Sequence, residues 1–154
     1  MADLTSAQLA TLKAGILADS TAAAFPNTAQ GNYDCAAYLN AGSSPAVMIW
    51  LPSVSVSIIN NAIDWTAGAN GFISLTVAKQ NAYFALTQGG VMDATQANIR
   101  AGFQAIFPAA IVTAIQGVAQ RNSTRFEAMF TTASVCSLFG RQVLPNEVNA
   151  ALNS

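Results

Sequence analysis

The stretch Phe107–Phe130, FPAAIVTAIQGVAQRNSTRFEAMF, constrains the fold more than any other part of this chain of 154 residues. Pro108 suits the first turn of a helix, where its missing N–H would be unpaired anyway. From there Ile111, Ile115, Val118, Asn122, Phe126 and Met129 recur at steps of three or four, which is one face of a helix. The spacing predicts a single helix about 36 Å long at ~1.5 Å per residue. Gly117 and the run Asn122-Ser123-Thr124 weaken it by up to about 1 kcal/mol per residue without ending it. The first half carries no charge, whereas the second carries Arg121, Arg125 and Glu127, so burial is expected for the first and partial wetting for the second. The expected fold class is mainly α: a helical bundle around one long central helix, with short extended segments and a C-terminal arm.

The remaining elements follow from local signals. Thr5 and Gln8 form a capping box ahead of the stripe Leu9, Leu12, Ile16, which predicts a helix over Ser6–Ala18. A second helix is expected over Thr28–Asn40, ended by Ala41-Gly42-Ser43-Ser44-Pro45. Ala46–Leu51 lies between prolines that bias their predecessors to extended geometry, and reads as an extended segment crossing the core. Ser53 can cap a helix over Val54–Trp65, with Thr66–Gly71 as a loop. Thr76 can cap one to Leu86, with Val77, Ala82 and Phe84 among its apolar residues, and Gln88-Gly89-Gly90 stops it. Asp93 or Thr95 can cap a fifth helix carrying Ile99, Phe103 and Ile106. After Phe130, Val135–Phe139 reads as an extended arm, and Pro145 starts a last helix to Leu152. No internal repeat or linker is visible, so residues 1–154 read as one domain.

Charge decides which functions are open to such a chain. Only 8% of residues are charged and 53% are hydrophobic, against roughly 25% charged in ordinary soluble domains. Two arrangements keep such a surface in solution: burial of low-charge faces against other subunits, or an alanine-rich monomer wetted by Ser, Thr, Asn and Gln. The first is the expectation, because interface cores are depleted of charge. A net charge of −1 offers no basic footprint for sequence-specific nucleic-acid binding. Asp3 stands where a secretory signal would be positive, so no such signal is expected. Ala101–Gln120 is long enough to span a bilayer, but Gln104, Pro108, Thr113, Gln116 and Gln120 favour a buried soluble helix, and no membrane partner is expected.

The chain contains no histidine, which removes the usual general base and the commonest metal ligand. Cys35 and Cys136 match no zinc or redox spacing; buried thiols in a reducing compartment are expected, although the spacing also permits one disulfide. Asp3, Asp19, Asp34, Asp64, Asp93, Glu127 and Glu147 stand apart in sequence and form no obvious acid–base or metal-binding pair. No catalytic residue, cofactor or metal is expected, and the chain reads as a non-enzyme. Candidate subunit-interface residues are Arg121, Arg125, Glu127 and Trp50. Arg121 and Arg125 are four apart, and either decorate a solvated helix face or pair with carboxylates of a neighbouring subunit. Trp50, like Trp65, is either an interface anchor or part of the core.

Several segments resemble a family of tailed-bacteriophage proteins encoded among head-assembly genes. They are Leu4–Leu9, Ile49-Trp50 with Pro52-Ser53-Val54, Ile63–Thr66, Leu75–Lys79 and Asn98–Gly102. Arg121 with Arg125-Phe126-Glu127 and Phe130, then Phe139-Gly140 and Glu147–Leu152, continue the pattern. The likeness covers nearly the whole chain in patches and resembles head-to-tail connector (adaptor) proteins, mostly α-helical. It implies a structural subunit of a homo-oligomeric ring, usually dodecameric, in the neck below the portal. Such a ring binds the portal protein, extends the channel through which DNA passes, and docks tail or nozzle proteins. The implied location is the virion head–tail junction, with assembly in the host cytoplasm. The alternative is another virion protein, for capsid decoration or tail completion. The chain departs from the family pattern in having fewer charges beside Arg121 and a shorter segment after Phe130, which bears on its neighbours more than on its fold.

Overall fold

A computed structural model describes residues 3–154, and among them the fold is mainly α, with eight α-helices and a few strands of two or three residues. No single long helix occurs over Phe107–Phe130. Helix α6 ends at Ala119, the chain extends through a short strand at Gln120–Asn122, and a separate five-residue helix follows at Arg125–Met129.

Two physical causes end α6. Thr124 and Glu127 form a capping box, with Glu127 N–H donating to Thr124 Oγ1 at 3.1 Å and Thr124 N–H donating to Glu127 Oε2 at 2.9 Å. This is a helix start, and it competes with continuation of the previous helix. The backbone just before it is also claimed from elsewhere. Ser123 N–H donates to Val47 O at 2.9 Å and Arg125 N–H to Ala41 O at 2.9 Å, so neither donor serves an intrahelical bond. The run Asn122-Ser123-Thr124 therefore ends the helix instead of merely weakening it.

The chain divides into two compact units. The first combines the segment ending at Ile49 with Asn122–Ser154. It holds α1 (Ser6–Ala18), α2 (Ala29–Asn40), the start of β1 (Met48–Trp50), α7 (Arg125–Met129), the strand pair β5 (Thr131–Thr132) and β6 (Val135–Cys136), and α8 (Pro145–Leu152). The second, Trp50–Arg121, holds β2 (Val54–Ser55), α3 (Val56–Ala62), α4 (Val77–Thr87), β3 (Val91–Met92), α5 (Ala97–Ile106) and α6 (Ala109–Ala119). β4 (Gln120–Asn122) carries the chain back to the first unit.

In the first unit the ends of α1 and α8 fall where caps and proline place them, and Thr28 caps α2 by accepting from Gly31 N–H at 3.2 Å. Leu12, Ile16, Cys35, Leu39, Phe126, Val143, Val148 and Ala151 form its core. Glycine allows one close approach in this core: a Cβ at Gly15 would stand 2.4 Å from Met129 Sδ, so α1 meets α7 at a position without a side chain. The expected C-terminal arm at Val135–Phe139 is instead half of a hairpin, with Thr131 opposite Cys136. Its two-residue turn places Ala133 (φ 50°) and Ser134 (φ 62°) in left-handed geometry, as such a tight hairpin requires.

In the second unit, β2 and β3 pair antiparallel, with Val54 opposite Met92. Ser55, not Ser53, caps α3, because Val54 is drawn into the strand. Neither Asp93 nor Thr95 caps α5, whose N-cap is Gln96. Asp93 instead closes the preceding turn, accepting from Thr95 N–H at 2.9 Å and Gln96 Nε2 at 3.0 Å. The core is aromatic and centred on Tyr83, with ring centroids of Phe72 and Phe107 both 5.4 Å away and Phe103 at 6.2 Å. Ile111 and Ile115 of α6 are buried with them, as the charge-free half of the stretch led one to expect. No helix among the described residues is long and apolar enough to cross a membrane.

Candidate functional site

The four candidate interface residues lie in different settings. Arg125 and Glu127 belong to the first unit, Trp50 and Arg121 to the second. Arg121 lies in β4 and Arg125 opens α7, so the two arginines do not share a helix face, because the helix that would have aligned them ends at Ala119.

Trp50 is half-buried. The Arg100 guanidinium lies 5.0 Å from its ring centroid and donates through Nη1 to Ala94 O at 2.8 Å and Thr95 O at 2.6 Å. Together they border an apolar recess of about 30 Å³ lined by Met92, Phe103, Val112 and Ile115. Trp50 thus packs on the core from its edge, whereas Trp65 is more exposed, with its ring 4.7 Å from Phe72.

Glu127 is 1% exposed. Besides capping α7, its carboxylate accepts from Gly140 N–H at 2.7 Å, which pins the segment after the hairpin to the start of the helix. Burying a carboxylate is tolerable only when donors replace its water, and these backbone N–H groups do so. Sequence reading expected this half of the stretch to be partly wet and so missed the burial of Glu127, and it missed that of a second carboxylate, Glu147. It pairs with Arg141, accepts from Leu144 N–H at 3.0 Å and caps α8. The spacing Thr124-x-x-Glu127 was the signal for the first; nothing local marks the burial of the second.

Arg125 sits in an open groove of about 620 Å³ in the first unit. Its guanidinium lies 4.2 Å from the centroid of the Tyr38 ring and donates through Nη1 to Tyr38 O at 3.3 Å. The Tyr38 hydroxyl in turn donates to the Asp19 carboxylate at 3.0 Å. Asp19 also accepts from Thr21 N–H at 2.9 Å and Ala22 N–H at 3.1 Å. The chain from carboxylate to hydroxyl to ring to guanidinium holds Arg125 in place with much of its donor fork unused. Gly15, Ala18 and Ala128 line the groove with small residues, and Ser20, Thr21 and Ser44 add hydroxyls. Sequence spacing had no means of finding Asp19 and Tyr38, because they reach Arg125 from α2 and the end of α1.

Burial works against the charge of Asp19, but the Ala22 N–H, the Tyr38 hydroxyl, the Thr21 N–H and Arg125 outweigh it and hold its pKa below the ordinary value. Hydrogen bonds from Thr95 and Gln96 do the same for Asp93, and those from Thr66 for Asp64. A carboxylate that binds its proton less tightly when folded stabilises the fold above its unfolded pKa and loses that contribution as pH falls through the folded pKa. The denaturant midpoint is therefore expected to hold from neutrality to about pH 5 and then to fall steadily below about pH 4. Asp19→Asn and Asp93→Asn should each flatten that acid limb; an unchanged limb in both would show that these carboxylates do not carry it.

Burial raises the Cys35 thiol pKa, helped by the charge of Asp19, and Cys35 and Cys136 are both buried with no disulfide between them. Among the described residues, no group of three or more His, Cys, Asp or Glu side chains gathers as a metal site. The arrangement offers anchored cationic and aromatic surfaces, suited to binding. No protein-family model matches the chain, nor does any curated protein or solved structure.

Proposed function

We propose that this chain is a structural, non-enzymatic subunit of a homo-oligomeric ring: a head-to-tail adaptor of a tailed phage that sits below the portal, extends the DNA channel and docks tail proteins. The observation that carries the assembly part of this reading is the uncovered side of α4. Val77 is 69% exposed and Phe84, two turns on, is 52% exposed, while Tyr83 is the buried residue of the helix. Ile73, just before the helix, is also exposed, and Lys79 is the only charged residue from Ile73 to Phe84. Large apolar side chains left outside in a chain so poor in charge favour burial against another subunit. The family likeness of Leu75–Lys79, at the start of this helix, and of the other segments supplies the adaptor part.

The test is assembly on purified portal protein, read by electron microscopy and mass. Closed rings in fixed stoichiometry to the portal are expected from the wild type. Val77→Asp with Phe84→Asp should remain folded by circular dichroism, since neither side chain is in the core, yet fail to form rings. Saturable binding to capsid shells with none to portal would replace this reading by capsid decoration.

A further inference from the structure

We propose that the groove around Arg125 is a binding site for a carboxylate side chain of a partner polypeptide segment, with Arg125 as its anchor. This goes beyond the ring reading and stands without it, because the site is complete within one chain.

Three observations carry it. First, the Arg125 guanidinium is held before any ligand arrives: it lies over the Tyr38 ring, 4.2 Å from the centroid, and Tyr38 O takes one N–H. No carboxylate of the described residues forms an ion pair with it, so its remaining donors are left for a ligand. A half-buried arginine held against an aromatic ring, with an open fork, suits two parallel hydrogen bonds to a planar carboxylate. Second, the carboxylate that lines the groove, Asp19, is already committed. Its oxygens accept from the Tyr38 hydroxyl and from the N–H groups of Thr21 and Ala22, so it positions the aromatic platform and does not fill the fork. Third, the groove suits a polypeptide. Ala18 and Ala128 leave room for a backbone, and the hydroxyls of Ser20 and Ser44, which bond to no group of the described residues, offer donors and acceptors to it.

Charge alone does not select among anions here, because the second negative charge of a phosphate near pH 7 doubles its attraction to Arg125 along with its repulsion from Asp19. The discrimination comes from the chain on either side of the carboxylate, which a free phosphate lacks and which meets the rest of the groove. An acidic side chain within a segment, not a chain terminus, uses the lining on both sides of the arginine.

The experiment is a titration of the full chain, labelled with 15N, by the capped peptide acetyl-Ala-Ser-Glu-Ala-amide. Parallel titrations use its Gln counterpart, acetyl-Ala-Ser-Gln-Ala with a free C-terminus, and inorganic phosphate. No portal is present, so failure to form rings does not affect the result. Saturable shifts are expected at the Arg125 side-chain N–H and at the amides of Ser20, Thr21 and Ser44. The Glu peptide should bind about tenfold more tightly than the capped Gln peptide and than phosphate, a difference of about 1.4 kcal/mol. Affinity should weaken with added salt. Arg125→Lys, which keeps the charge and loses the fork, should lose most of the preference for Glu over Gln. Equal binding of the capped Glu and Gln peptides, shifts mapping elsewhere, or tighter binding of phosphate or of the free C-terminus would each overturn the assignment. The wild-type titration decides the matter even if a variant misfolds.

Discussion

Tyr83→Ala is expected to destabilise the second unit by about 3–5 kcal/mol, the usual range for removing a large aromatic side chain from a core. Tyr83 is 1% exposed and sits among Phe72, Phe103 and Phe107, whose rings meet it mostly edge to face. Such contacts add to the burial term, so truncation loses ring–ring attraction as well as area and leaves a cavity that a ring of aromatics is poorly placed to fill. The hydroxyl also matters, because it donates to Asn60 Oδ1 and ties α4 to α3. Tyr83→Phe separates the two parts: keeping the ring and losing the bond should cost about 1–2 kcal/mol, since Asn60 loses a donor. Tryptophan fluorescence in urea measures both, as Trp50 and Trp65 lie in this unit and the Trp65 ring is 6.3 Å from Tyr83. A loss below about 1 kcal/mol for Tyr83→Ala would mean that the cluster repacks and is not the centre of the core.

Glu127→Ala should have an effect of similar size in the first unit, about 2–5 kcal/mol for two stranded donors. The carboxylate accepts from the backbone N–H groups of Thr124 and Gly140, and removing it strands both donors in a place water cannot easily reach. Glu127→Gln is not expected to restore stability. One amide oxygen can satisfy one of the two donors, but the amide nitrogen then faces the other N–H. Hydrogen exchange gives the specific readout: the Thr124 and Gly140 amides, protected in the wild type, should exchange faster in both variants. Wild-type protection at those two amides in Glu127→Ala would show that the carboxylate does not hold them.

Local chemistry determined the ends of several elements. Thr5 with Gln8 starts α1, Thr28 and Thr76 start α2 and α4, and Pro145 starts α8, all within a residue or so of where caps and proline put them. These signals act over three or four residues, so the sequence contains all of their physics. Low charge and the buried, charge-free face of Ile111 and Ile115 were legible for the same reason, being properties of composition and period.

Tertiary structure decided the rest. Helical period alone ran from Phe107 to Phe130, because Asn122, Phe126 and Met129 happen to continue the spacing of Ile111 and Ile115. The break needed partners distant in sequence: Ser123 N–H is taken by Val47 and Arg125 N–H by Ala41, and Asn122 Nδ2 donates to Ser43 O at 3.0 Å. Only the cap of Thr124 by Glu127 lay within reach of a local rule. The groove has the same origin, since Asp19, Tyr38 and Arg125 come from three elements. On α4, neighbouring aromatics took opposite fates, Tyr83 at the centre of a core and Phe84 half outside it, because the surrounding elements cover one side of the helix only. Period tells which residues share a face, whereas which face finds a partner depends on where the other helices end.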